Sequence, residues 1–84
     1  MGELYFRGVL AAYLGSNYIT GPVYEWQIDI VKKSISRYCE NNIDHSSLSY
    51  QEKEEQKHQM KQDLEVYIQG VKDKFRQDGR LIEG

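Results

Sequence analysis

The stretch that decides the fold is Gly21-Pro22-Val23-Tyr24-Glu25-Trp26-Gln27-Ile28-Asp29-Ile30-Val31-Lys32-Lys33-Ser34-Ile35-Ser36-Arg37-Tyr38-Cys39. In it Tyr24, Ile28, Val31, Ile35 and Tyr38 recur at steps of four, three, four and three, the period of one face of an α-helix. Val23, Trp26, Ile30 and Cys39 widen that seam at its edges. The opposite face carries Glu25, Asp29, Lys32, Lys33, Ser36, Arg37 and Glu40, with Asp29 and Lys33 ordered for an i,i+4 ion pair. Pro22 suits a first helical turn, where its missing N–H costs nothing, and Thr20 or Gly21 is the expected N-cap. The spacing therefore predicts a helix over about 22–41, ending at Asn41-Asn42, a pair that favours turns and caps.

Working outward, residues 3–14 place Leu4, Tyr5, Phe6, Val9, Leu10, Tyr13 and Leu14 at helical spacings with little polar surface. A short, largely buried helix is expected there, with Gly15 as a left-handed C-terminal cap. On the other side, residues 43–49 read as a loop. Ser49-Tyr50-Gln51-Glu52 is a capping-box pattern, in which serine and glutamate side chains satisfy each other's free backbone N–H groups. Residues 51–59 are good helix formers without an apolar side chain. Met60, Leu64, Tyr67, Val71 and Phe75 then set an apolar stripe, with Val66 and Ile68 beside it. Gly70 weakens this stretch by about 1 kcal/mol relative to alanine. Asp78-Gly79 ends it, so the third helix runs over about 50–77. The expected fold is one all-α domain of three helices: short and buried, amphipathic, and long and partly polar.

The last two helices raise a register problem. In a simple antiparallel hairpin about the 43–49 loop, Tyr38 would face Tyr50, Val31 would face Lys57 and Tyr24 would face Leu64. The apolar stripes would then miss each other by roughly two to three turns of about 5.4 Å each. The first helix covering the seam, a long flexible connection, or a second chain covering the third helix would each resolve this. The expectation adopted is an intertwined helical dimer, since a chain of 84 residues has a small core of its own.

Composition narrows the chemistry. Eleven basic and 13 acidic residues leave a net charge of −2, which excludes a basic nucleic-acid-coating protein and an acidic tail. Hydrophobic residues at 39% are too many for plain disorder, despite a mean hydropathy of −0.73. The single cysteine, Cys39, excludes an internal disulfide, and no stretch reads as a leader or a membrane span, so a cytoplasmic protein is expected. Cys39 has no histidine fixed beside it, and Glu54 with His58 supplies two ligands at most. Neither a catalytic constellation nor a metal or cofactor motif is present.

Seven tyrosines stand out, because tyrosine couples apolar area to a hydroxyl that must stay wet or bonded and so favours interfaces. The expected function is non-enzymatic binding of another protein by helix packing, in a small regulator or adaptor of the size common among phage and mobile-element proteins. The candidate partner-binding residues are Tyr18, Ile19, Trp26, Leu64, Tyr67, Val71 and Phe75.

An alternative rests on Leu10-Ala11-Ala12-Tyr13-Leu14-Gly15-Ser16-Asn17 followed by Val23-Tyr24-Glu25-Trp26. This phrase resembles the helix-turn-helix of small excisionase-like and MerR-like regulators. The resemblance implies DNA binding, for which Lys32, Lys33 and Arg37 are the phosphate-contact candidates. Gly21-Pro22 interrupts the implied recognition helix, and residues 16–31 hold no lysine or arginine.

Overall fold

The computed structural model describes residues 3–83. Helix α1 spans Glu3–Leu14 and leads into a 3₁₀ turn, Gly15–Tyr18. A two-residue strand β1 (Val23–Tyr24), helix α2 (Glu25–Asp44), helix α3 (Tyr50–Gln77) and a second short strand β2 (Leu81–Ile82) follow. The fold is all-α with one small parallel strand pair, Val23 beside Leu81 and Tyr24 beside Ile82.

Each helix boundary has a local cause. Gly15 takes φ +61°, a conformation in which a Cβ would be strained, and so closes α1 as expected. Helix α2 starts three residues later than its spacing predicted. Pro22 lies outside it, Tyr24 is its extended N-cap, and the Gln27 side chain accepts from the Tyr24 N–H at 3.1 Å. The strand pairing explains the difference, since Val23 and Tyr24 hold extended backbone beside Leu81 and Ile82, with Val23 N–H donating to the Arg80 carbonyl at 2.9 Å. The C-terminal end also moves, from Asn41-Asn42 to Asp44, because Ile43 packs against the core and extends the seam by a turn.

Helix α3 opens with the expected capping box. Ser49 Oγ accepts from Glu52 N–H, and Glu52 Oε1 accepts from Ser49 N–H, each at 3.3 Å. It closes at Asp78-Gly79 in a Schellman motif, with Gly79 at φ +71°. Gly79 N–H donates to the Arg76 carbonyl and Arg80 N–H to that of Phe75.

The core consists of Phe6, Leu10 and Leu14 of α1, Val23, Ile28, Val31, Ile35 and Cys39 of the α2 region, and Met60, Leu64, Ile68 and Phe75 of α3. Burying each large aliphatic or aromatic side chain contributes about 1.5–3 kcal/mol. The buried seam of α2 is narrower than expected, because Tyr24, Trp26, Ile30 and Tyr38 remain 41–53% exposed. Helix α1 is likewise buried on one side only, with Leu4 75% and Tyr13 48% exposed. The aromatic residues nevertheless tie α1 down. Tyr5 stacks on Tyr38 with ring centres 5.9 Å apart, and Phe6 meets Tyr67 at 5.5 Å.

The register is solved inside one chain. Asp44 pairs with Lys57 at 2.5 Å, Glu40 with Lys61 at 3.3 Å, Lys32 with Glu65, and Asp29 with Lys72 at 2.8 Å. Between the Asp44–Lys57 and Asp29–Lys72 pairs, α2 and α3 thus advance by the same 15 residues in opposite directions. Val31 faces the neighbourhood of Ile68 rather than Lys57, and the two apolar stripes coincide. Residues 45–47 turn back onto the end of α2, and the first two turns of α3 lie beyond the Asp44–Lys57 pair and overhang that end. That overhang is the polar stretch, and its side chains stay in solvent except Lys53, whose Nζ donates to the Asp44 carbonyl at 2.9 Å. The mismatch that led to the expected intertwined dimer is therefore absent, because Met60, Leu64, Ile68 and Phe75 are at most 7% exposed in the single chain.

Candidate functional site

Helix α1 packs along α2 and touches α3 less, which leaves a groove between α1 and α3. Its volume is about 750 Å³, and it is lined by Glu3, Phe6 and Arg7 of α1, Tyr18 of the 3₁₀ turn, and Asp63, Val66, Tyr67, Gly70, Val71 and Lys74 of α3. Spacing along α3 explains the wall: residues 63, 66, 67, 70, 71 and 74 follow the three–four helical step on the side turned away from α2. The groove is apolar along its length and charged at its ends. Glu3 and Asp63 sit at one end and Lys74 at the other, with Arg7 between them. Among the described residues none of these four forms an ion pair.

Two positions define its chemistry. Tyr67 lies in the floor, where burial first, and the neighbouring Tyr18 and Glu3 next, push its phenol up to about 12. It is a neutral hydrogen-bonding group at physiological pH. Gly70 leaves the floor bare. It is mid-helix with ordinary helical φ, and nothing lies within 4 Å of where a Cβ would be. No packing inside the chain requires a glycine there.

Three of the expected partner-binding residues, Tyr18, Tyr67 and Val71, meet in this groove. Phe75 is buried behind it, with Tyr18 edge-on to its ring at 6.0 Å. Leu64, 1% exposed, belongs to the core and offers no free surface. Ile19 is 75% exposed at the mouth of the 15–22 loop, and Trp26 lies on the far side of α2. The sequence reading missed Glu3, Phe6, Arg7, Asp63, Val66, Gly70 and Lys74 as groove residues. Gly70 was the available signal, a helix-weakening residue inside the apolar stripe of the third helix.

Of the expected phosphate-contact cations, the structure brings Lys33 and Arg37 together and sets Lys32 apart. Lys33 is exposed on the outside of α2, as is Arg37, whereas Lys32 turns inward to Glu65. Ten residues, 15–24, connect α1 to α2 and include the 3₁₀ turn and β1. That is much longer than the roughly 3–4-residue turn of a helix-turn-helix. Cys39 is fully buried, and burial raises its thiol pKa, a setting that suppresses the thiolate. Among the described residues no three His, Cys, Asp or Glu side chains gather as a metal site, and no helix is long and apolar enough to cross a membrane.

Comparison with protein-family models, with characterised proteins and with solved structures finds no match to this chain.

Proposed function

We propose that this chain is a small, non-enzymatic protein-binding regulator or adaptor that receives a helical segment of its partner in the α1–α3 groove. The observation that carries the reading is Gly70. A mid-helix glycine costs about 1 kcal/mol against alanine, and here nothing inside the chain uses its lack of a side chain. A bare position on an apolar floor lets an incoming backbone approach closely, with Tyr67 below it and exposed Val66 on the rim. A helix laid parallel to α1 and α3 would set its positive N-terminal end at Glu3 and Asp63 and its negative end at Lys74. One free, buried thiol with no second cysteine to pair with suits a reducing compartment, and we place the protein in the cytoplasm.

The test is selection of helical peptides on the folded protein, followed by binding to a Gly70→Trp variant whose indole fills the groove. Amphipathic helices should be enriched, and their affinity should fall about tenfold or more for the variant while its circular dichroism is unchanged. Selected peptides that bind both forms equally would overturn the reading.

A further inference from the structure

The outer face of α2 carries a second surface that the groove does not use, since no α2 residue lines the groove. Trp26, Ile30, Lys33 and Arg37 follow one another at steps of four, three and four. They form a stripe opposite the buried Ile28, Val31, Ile35 and Cys39. Trp26 is 52% exposed and Ile30 42%, and the Tyr24 ring stands 6.0 Å from the indole and steadies it. The charges of α2 are partitioned between its sides. Glu25 and Asp29 are drawn to Lys72, Glu40 to Lys61 and Asp44 to Lys57, all toward α3. Asp29 therefore does not make the expected pair with Lys33, and among the described residues neither Lys33 nor Arg37 has an acidic partner.

We propose that a second copy of this chain packs antiparallel on this stripe, making a two-fold dimer through α2. The order of residues is self-complementary about a point between Val31 and Lys32. In an antiparallel pair, Trp26 meets Arg37 of the partner subunit and Ile30 meets Lys33 of the partner subunit. The first is a cation–π contact on the best aromatic acceptor, and the second lays a lysine stem along an aliphatic chain. A parallel pair would instead bring Arg37 against Arg37 and Lys33 against Lys33, with no acid free to separate them. The contact differs from the intertwined arrangement expected from the sequence, because no core residue of α3 takes part. It also leaves both α1–α3 grooves open, so the dimer presents two binding sites at once. A single helix pair buries roughly 1,000 Å² or less, the lower edge of specific interfaces, so the association is a weak, concentration-dependent one.

Sedimentation equilibrium over a concentration series tests this on the full chain. The mass should rise from 9.9 kDa toward twice that value, and Trp26, the only tryptophan, should shift its emission to the blue in parallel. Arg37→Glu and Trp26→Ala, both at exposed positions, should each weaken association about tenfold while leaving the monomer's circular dichroism at high dilution unchanged. Gly70→Trp, in the groove, should leave the mass unchanged. An equimolar mixture of Trp26→Cys and Arg37→Cys chains should cross-link to each other faster than either does alone. A chain monomeric throughout the series overturns the proposal, as does a dimer indifferent to both substitutions. Preferential self-linking of Trp26→Cys would do the same by reporting a parallel contact.

Discussion

The Arg80 guanidinium lies 4.8 Å from the centre of the Phe75 ring and joins the end of α3 to the loop that leads into α2. From that position Nε donates to the Gly21 carbonyl at 2.9 Å, and the terminal nitrogen reaches the Asn17 carbonyl. The Arg80 backbone carbonyl receives Val23 N–H, which starts the parallel strand pair. One residue thus satisfies loop carbonyls, covers a core aromatic and orders the tail. Arg80→Ala should lower the unfolding free energy by about 1–3 kcal/mol in urea titrations. Arg80→Lys should recover less than half of that loss, because an ammonium lacks the planar fork. Wild-type stability in Arg80→Ala would show that the tail does not hold the loop.

Leu64 and Val66, two residues apart on α3, should behave oppositely. Leu64 is 1% exposed and Val66 75%. Leu64→Ala should cost about 2–5 kcal/mol through lost contact and a cavity, while Val66→Ala should stay within about 0.5 kcal/mol. Chemical denaturation of both variants reads the difference.

Ser49→Ala removes the α3 cap, a change worth about 1 kcal/mol in a packed helix. Here the capped turns overhang α2 and pack on almost nothing. Amide exchange should accelerate over residues 50–56, while the melting temperature moves little. Exchange unchanged over those turns would mean the cap is redundant with the Lys53 contact to Asp44.

Gly70→Ala should stabilise the chain by about 0.5–1 kcal/mol, since the added methyl meets open space. The same change should weaken any groove-bound helix, separating stability from binding in one variant. A destabilised alanine variant would place an unrecognised constraint at this position.

Tyr67 gives the pH dependence its alkaline arm. Its folded-state pKa, raised from 10.0 to about 12 by burial, exceeds that of the unfolded chain. The folded state therefore keeps its proton where the unfolded state loses it, and this contribution is full below pH 10. It is lost as pH rises from 10 toward 12. Burial raises Tyr5 and Cys39 in the same direction, so Tyr67→Phe should remove only part of the alkaline loss. The phenolate absorbance of wild type should show a late step missing from Tyr67→Phe. On the acid side, the ion pair with Lys57 lowers Asp44, and hydrogen bonds from Ser49 lower Glu52. Their contributions are present above the usual carboxylate range and fade as pH falls through it.

The local sequence was enough for three helices, for the Ser49–Glu52 cap, for the glycine closing α1 and for the stop at Asp78-Gly79, because each depends on dihedral preferences and hydrogen bonds within a few residues. Spacing also marked Tyr67 and Val71, and tyrosine chemistry marked Tyr18, though not that α1 would stand beside them to make a groove. The register of α2 on α3 was decided only in three dimensions. A periodic apolar stripe accepts its neighbour at any offset of whole turns, so pattern alone leaves the slide undetermined. Here the slide is the one that buries Met60, Leu64 and Ile68 against the α2 seam, and it is accompanied by ion pairs from Asp29–Lys72 to Asp44–Lys57 and by Arg80 pinning the far end to a loop some 60 residues earlier. The same tertiary choice turned the acids of α2 toward α3 and left Lys33 and Arg37 outside. Which charges are spent within the chain depends on which helix lies beside them, and that is a property of the packed chain alone.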